Sequence, residues 1–133
     1  MMTKSRGASF FRFVLWAFAG SIGLASVGYF PTLRLGGRSA VIAMCAGCAV
    51  SFAASVAGAL PLVRRKPRDE ATMAALMAVG IRFGVALLGG IVLALATTLD
   101  RAPLLIWLAV SHLALAVLDV RFASARMAES RTA

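Results

Sequence analysis

Acidic side chains are scarce in this chain. Five Asp and Glu stand against fourteen Lys and Arg, with one histidine and two cysteines among 133 residues. The shortage excludes much chemistry. No carboxylate pair is spaced for general acid–base work, and no nucleophile–base pair or phosphate-cradling glycine loop is present. Cys45 and Cys48 form a CxxC with no second cysteine pair or nearby histidine to complete a zinc site. The motif lies inside an apolar run flanked by Ala, Gly and Met, where the reactive thiolate is disfavoured. It is expected to serve as small packing residues. Neither an enzyme nor a cofactor or metal site is expected.

Charge of any kind is also sparse. Charged residues make up 14% of the chain, with 61% hydrophobic content and a mean hydropathy of +0.90, whereas soluble domains carry about 25% charge. Almost all of the charges fall between four apolar runs, Phe13 to Leu33, Ser39 to Val63, Ala71 to Leu99 and Ala102 to Leu118. A hydrocarbon core about 30 Å thick takes about 20 helical residues. The first three runs reach that length, and the fourth does so with Asp119 at the interface. The expected fold is an all-α membrane protein in a single domain. Its four transmembrane helices, about 10–31, 39–63, 71–98 and 102–121, form two hairpins joined by a basic loop at 64–70.

Lys4, Arg6 and Arg12 resemble a secretory n-region, but about 20 apolar residues follow, more than an h-region of about 7 to 15. The segment is expected to stay as the first helix. With four spans, Lys4, Arg6 and Arg12 share one side with Arg64, Arg65, Lys66 and Arg68 and with Arg121, Arg126 and Arg131. That side holds ten basic residues, against three (Arg34, Arg38 and Arg101) on the other. The positive-inside rule then puts both termini and the middle loop in the cytoplasm. The basic excess is a topology signal with some attraction to anionic lipid head groups, rather than a nucleic-acid footprint.

Turn signals agree with this layout. Pro31, Gly36 and Gly37 mark a turn over Pro31 to Arg38, Pro61 to Glu70 reads as the central loop, and Asp100, Arg101 and Pro103 mark a tight outer turn. Asp69 and Glu70 suit the start of the third helix. The tail after Arg121 is expected to fray or lie on the surface. Small residues recur every fourth position at Ala17, Ser21 and Ala25, at Ala43, Gly47, Ser51, Ser55 and Ala59, and at Ala86, Gly90 and Ala94. Gly80 and Gly84 form a GxxxG around Arg82. Such stripes let membrane helices pack closely, within the bundle or against another membrane protein.

Three residues stand out inside the apolar runs. His112 lies mid-span in the fourth helix and is expected to bond a serine or the backbone within the bundle. Asp119, seven residues on and beside Arg121, shares its face and suits the inner interface. Arg82 is the expensive one, because a cation at mid-bilayer costs about 2.5 to 3.5 kcal/mol on insertion scales. It lies about 12 Å along the helix axis from an entry near Ala74. It either snorkels to the cytoplasmic head groups, helped by Asp69 or Glu70, or faces a protein partner. Gly80 and Gly84 sit about 200° round the helix from it, so one face packs in the bundle while the other presents the charge. No acid of this chain stands out as its neighbour at depth, so a non-snorkelling Arg82 is expected to find its counter-charge on another molecule.

The layout resembles the ATP synthase protein I family, small membrane proteins encoded beside bacterial ATP synthase subunits. The similarity rests on four spans with both ends inside, Gly47-Cys48-Ala49-Val50 in the second helix and the basic Arg64-Arg65-Lys66. Gly80-Ile81-Arg82-Phe83 in the third helix and Leu104-Leu105-Ile106-Trp107 in the fourth complete it. Family members often carry an acid beside the third-helix glycine and a lysine further on; here Ile81 stands in the acid's place. The resemblance implies a non-catalytic factor that assembles or stabilises the c-subunit ring, with a role in magnesium supply also proposed for the family. Arg82, Gly80 and Gly84 then form the partner-binding face, in the bacterial inner membrane among lipids and c subunits. Two other readings stay open. One is a small oligomeric transporter or channel, with Arg82 and His112 as polar lining, and the other is a holin-like structural protein.

Overall fold

A computed structural model describes residues 3–64 and 71–132. The side chains of 3–6, 62–64, 71–72, 122–123, 126–127 and 129–132 are not among those described. The basic loop expected at 64–70 therefore lies outside the described residues, apart from the Arg64 backbone. So do Arg65, Lys66, Arg68, Asp69 and Glu70.

The described chain is all helical, in three elements: α1 (Thr3–Arg64), α2 (Ala71–Ala96) and α3 (Arg101–Thr132). Each is long and apolar enough to cross a membrane, over Gly7–Pro61, Met73–Ala96 and Arg101–Arg121. That is compatible with a multi-pass membrane protein. The expected count of four separate helices is not met, because the first turn is far tighter than a loop. Instead of a break across Pro31 to Arg38, one residue leaves helical geometry: Gly37, at φ 68° and ψ −161°.

This single residue reverses the chain. The Phe18 and Phe52 rings meet edge to face at 5.8 Å between centroids, although 34 positions of straight helix would separate them by about 51 Å. Thr32 Oγ1 likewise lies 3.5 Å from Met44 Sδ. The two arms of α1 therefore run antiparallel and pack on each other. Gly37 occupies a region of backbone space that is essentially reserved for glycine, where other residues cost about 1 to 3 kcal/mol. Gly37→Ala is expected to lower stability by about that amount, read as a fall in melting temperature in detergent. Pro31 stays inside the first arm and Pro61 inside the second, so the central loop begins later than its proline suggested.

The second turn forms as expected. Asp100 opens α3, its carbonyl accepting the Leu104 amide at 3.1 Å, and Pro103 sits in the first turn, where its missing N–H is no loss. Ser39, just past the Gly37 reversal, donates to Asp100 Oδ2 at 2.5 Å. The two tight turns therefore sit at the same end of the bundle. At the other end α3 stays helical to Thr132, so the tail expected to fray after Arg121 continues the helix.

The helices pack where side chains are smallest. Ala43, Gly47, Ser51, Ser55 and Ala59, the second arm's stripe, are all buried. A Cβ at Gly47 would stand 2.9 Å from the Leu104 carbonyl oxygen and 3.0 Å from the Leu108 amide nitrogen, so α3 lies directly on this backbone. A Cβ at Gly58 would stand 2.8 Å from the Ala78 carbonyl oxygen, so α2 does the same further along. Ala17 of the first arm and Ala86 and Gly90 of α2 are buried too. Hydroxyls join the α1–α3 seam: Ser111 donates to Ser51 at 2.7 Å, Ser51 to the Leu108 carbonyl at 3.1 Å, and the Trp107 indole to Thr32 at 2.9 Å. Such bonds are worth about 0.6 kcal/mol each in membrane helices, so close packing, more than hydrogen bonding, holds this seam. Both α2 and α3 pack extensively on α1 and only sparsely on each other.

Candidate functional site

Arg82 points into the bundle. Its position on α2 faces Gly58, where a Cβ would lie 3.0 Å from Arg82 Cβ. The missing side chain at Gly58 is what lets a residue as long as arginine enter between helices. Arg82 is 7% exposed. Its Nη1 makes an ion pair with Asp119 Oδ2, and its Nη2 donates to the backbone carbonyl of His112. Two planar guanidinium donors thus reach two acceptors on α3, a fork that lysine cannot reproduce.

This overturns two expectations. The counter-charge of Arg82 lies on its own chain, so the arginine is neither a free snorkelling cation nor the charge of a partner-binding face. Asp119 is half-buried and turned toward α2, a partner its neighbour Arg121 did not suggest. The glycines part from the arginine. A Cβ at Gly80 or Gly84 would meet nothing within 4 Å, so the glycine notch faces outward while the charge faces inward, and the three residues do not form one partner-binding face.

His112 lies next to the pair. Its ring stands edge-on to Phe83 at 6.2 Å, and its Nδ1 has no hydrogen-bond partner. The bond expected for its side chain is made by its backbone carbonyl instead. Arg82 Nε and Asp119 Oδ1 are likewise buried without partners. Ser55, the buried small residue one turn before Ala59, lies beside the Asp119 carboxylate without completing a hydrogen bond.

A cavity of about 360 Å³ opens beside the ion pair, between α2 and α3, with Gly58 and Ala59 of α1 as its floor. Its walls are apolar (Phe13, Val79, Phe83 and Ala116 among them) except for Ser124 and the group formed by Arg82, His112 and Asp119. Cys48 is buried, in keeping with a packing residue, whereas Cys45 is exposed; both are free thiols. Among the described residues no group of three His, Cys, Asp or Glu is placed to hold a metal ion.

The arrangement joins two helices through a neutral charge pair and leaves an apolar hollow beside it. Arg82, His112 and Asp119 were each visible in the sequence; their union was not. Gly58 was missed, because a glycine outside the every-fourth-residue stripe carries no signal by itself. Comparison with protein-family profiles, curated proteins and solved structures finds no match to this chain.

Proposed function

We propose that this chain is a non-catalytic protein of the bacterial inner membrane that docks helical membrane subunits through α2. On the resemblance of its layout and of Gly80-Ile81-Arg82-Phe83 to the ATP synthase protein I family, those subunits are the c subunits of an F-type ATP synthase. The proposed topology has four crossings. Each arm of α1 on either side of Gly37 is long enough to span about 30 Å, and the distribution of basic residues puts both termini in the cytoplasm.

One observation carries the docking reading: the outward glycine notch of α2. Gly80 and Gly84 leave open space at a face rimmed by exposed Met77, Ile81, Leu87 and Leu88. A backbone bare of side chains at i and i+4 admits another helix closely, the usual basis of membrane helix association. Arg82, neutralised by Asp119, serves this reading by fixing how α2 is rotated.

Co-purification with c subunits tests the proposal. Gly80→Leu/Gly84→Leu is expected to fold as wild type and to recover about ten-fold less c subunit, a loss of about 1.4 kcal/mol in association. Equal recovery would remove the glycine face, and no recovery with wild type would remove the partner. A second reading, a small oligomeric transporter or channel for an ion such as magnesium, draws on the cavity beside Arg82 and Asp119. Ion flux into liposomes containing the purified chain would favour it.

A further inference from the structure

The cavity lies on the opposite side of α2 from the glycine notch, and docking at that notch makes no use of it. At about 360 Å³ it falls within the range of small-molecule sites, about 300 to 1,000 Å³. It is far larger than the gaps left by ordinary helix packing. It exists because α2 and α3 both lean on α1 and scarcely touch each other. Small residues, Ala75, Ala78 and Ala116, line the space between them.

Its polarity is one-sided. The walls are mostly carbon, with Ser124 the one hydroxyl among them, while the Arg82–Asp119 pair and the His112 ring gather the charge and the other polar atoms. Arg82 is more than nine-tenths buried, yet its Nε has no partner; nor have Asp119 Oδ1 and His112 Nδ1. Buried polar atoms without partners cost about 1 to 3 kcal/mol each, so a group that supplies their bonds is favoured here. That group must both donate, to the carboxylate, and accept, from the guanidinium. It must also be uncharged. The pair is already neutral, and a further charge in an apolar hollow would have to be desolvated with nothing to balance it.

We propose that the cavity between α2 and α3 binds a neutral single-chain amphiphile, its apolar chain along Val79, Phe83 and Ala116 and its hydroxyl or amide head at Arg82 and Asp119. The head group exchanges hydrogen bonds with the pair and undergoes no chemistry. Binding braces the two helices that the fold itself leaves apart.

The test uses a photoreactive twelve-carbon alcohol with the full chain in phosphatidylcholine nanodiscs, and maps cross-links by mass spectrometry. Labelling is expected to concentrate on Val79, Phe83 and Ala116, to be displaced by excess dodecanol, and to fall about ten-fold in Ala116→Phe. That variant fills the hollow and leaves the ion pair in place. The same chain bearing a quaternary ammonium head is expected to label these residues about ten-fold less. Labelling spread over all exposed faces and not displaced by dodecanol would overturn the site. Equal labelling by the charged probe would overturn the head-group assignment. If Ala116→Phe fails to fold, displacement by dodecanol and the charged probe still decide the question on the wild-type chain.

Discussion

Replacing Asp119 with alanine is expected to destabilise the folded bundle by about 3 to 5 kcal/mol, the usual cost of breaking a buried ion pair from one side. The loss comes less from the missing attraction than from what remains. Arg82, 7% exposed and enclosed by Gly58, Phe83 and α3, would keep a full charge with only the His112 carbonyl to receive it. Arg82→Ala is expected to cost a similar amount by stranding the carboxylate. The double substitution Arg82→Met/Asp119→Leu separates this account from simple loss of packing. With both charges gone and the volume roughly kept, stability is expected to return to within about 1 kcal/mol of wild type or to exceed it, as in other replaced buried pairs. Reversible unfolding in mixed micelles gives the three values. A double variant as poor as either single one would mean that the pair's geometry, and not its charge balance, holds α2 to α3.

The second large effect is expected at Gly47. A Cβ there would stand 2.9 Å from one backbone atom of α3 and 3.0 Å from another. Backbone, unlike the tip of a flexible side chain, has no rotamer in which to retreat. Gly47→Ala is expected to cost about 1 to 3 kcal/mol, the range for overpacked cores. It also loosens the serine bridge one turn away, since Ser51 and Ser111 meet at 2.7 Å only while the seam is closed. Gly84→Ala is the control. The same added methyl group meets nothing within 4 Å, and alanine is about 1 kcal/mol the better helix former. Stability is expected to stay level or rise. Comparing the two melting temperatures isolates the contact from the intrinsic preference.

Much of the fold could be read from hydropathy because the bilayer sets a length scale. The helix expected over 71–98 ends two residues past the observed end of α2 at Ala96, and Asp100 and Pro103 marked the start of α3. The first turn was placed correctly but drawn too wide. Proline and two glycines mark where helix can break, without saying that Gly37 alone suffices and that Pro31 stays helical. The Arg82–Asp119 pair was missed because local neighbours were weighed above depth. Asp119 was assigned to the interface through Arg121, two residues away, although it sits on a helix antiparallel to that of Arg82. Counting from the turn that α2 and α3 share would have exposed the match. Arg82 is fourteen residues from Ala96 and Asp119 eighteen from Arg101, about 21 Å and 27 Å along their helices from that turn. An arginine side chain spans that difference. Nothing comparable could have revealed the cavity, which depends on how far α2 and α3 stand apart, a property of no single segment.

That both later helices rest on α1 gives the chain a direction in time. Thr3–Arg64 contains its own reversal, so its antiparallel pairing uses no residue of α2 or α3. Each later helix then meets a surface already made, and neither must await the other. Contacts far apart in sequence, such as Ser51 with Ser111, become docking events onto a template rather than searches by an open chain. The ties between α2 and α3, from Arg82 to Asp119 and to the His112 carbonyl, need both helices in place. Until α3 enters, Arg82 is a cation without its carboxylate in an apolar helix, so a large penalty falls on the partly assembled bundle and is lifted only when α3 docks.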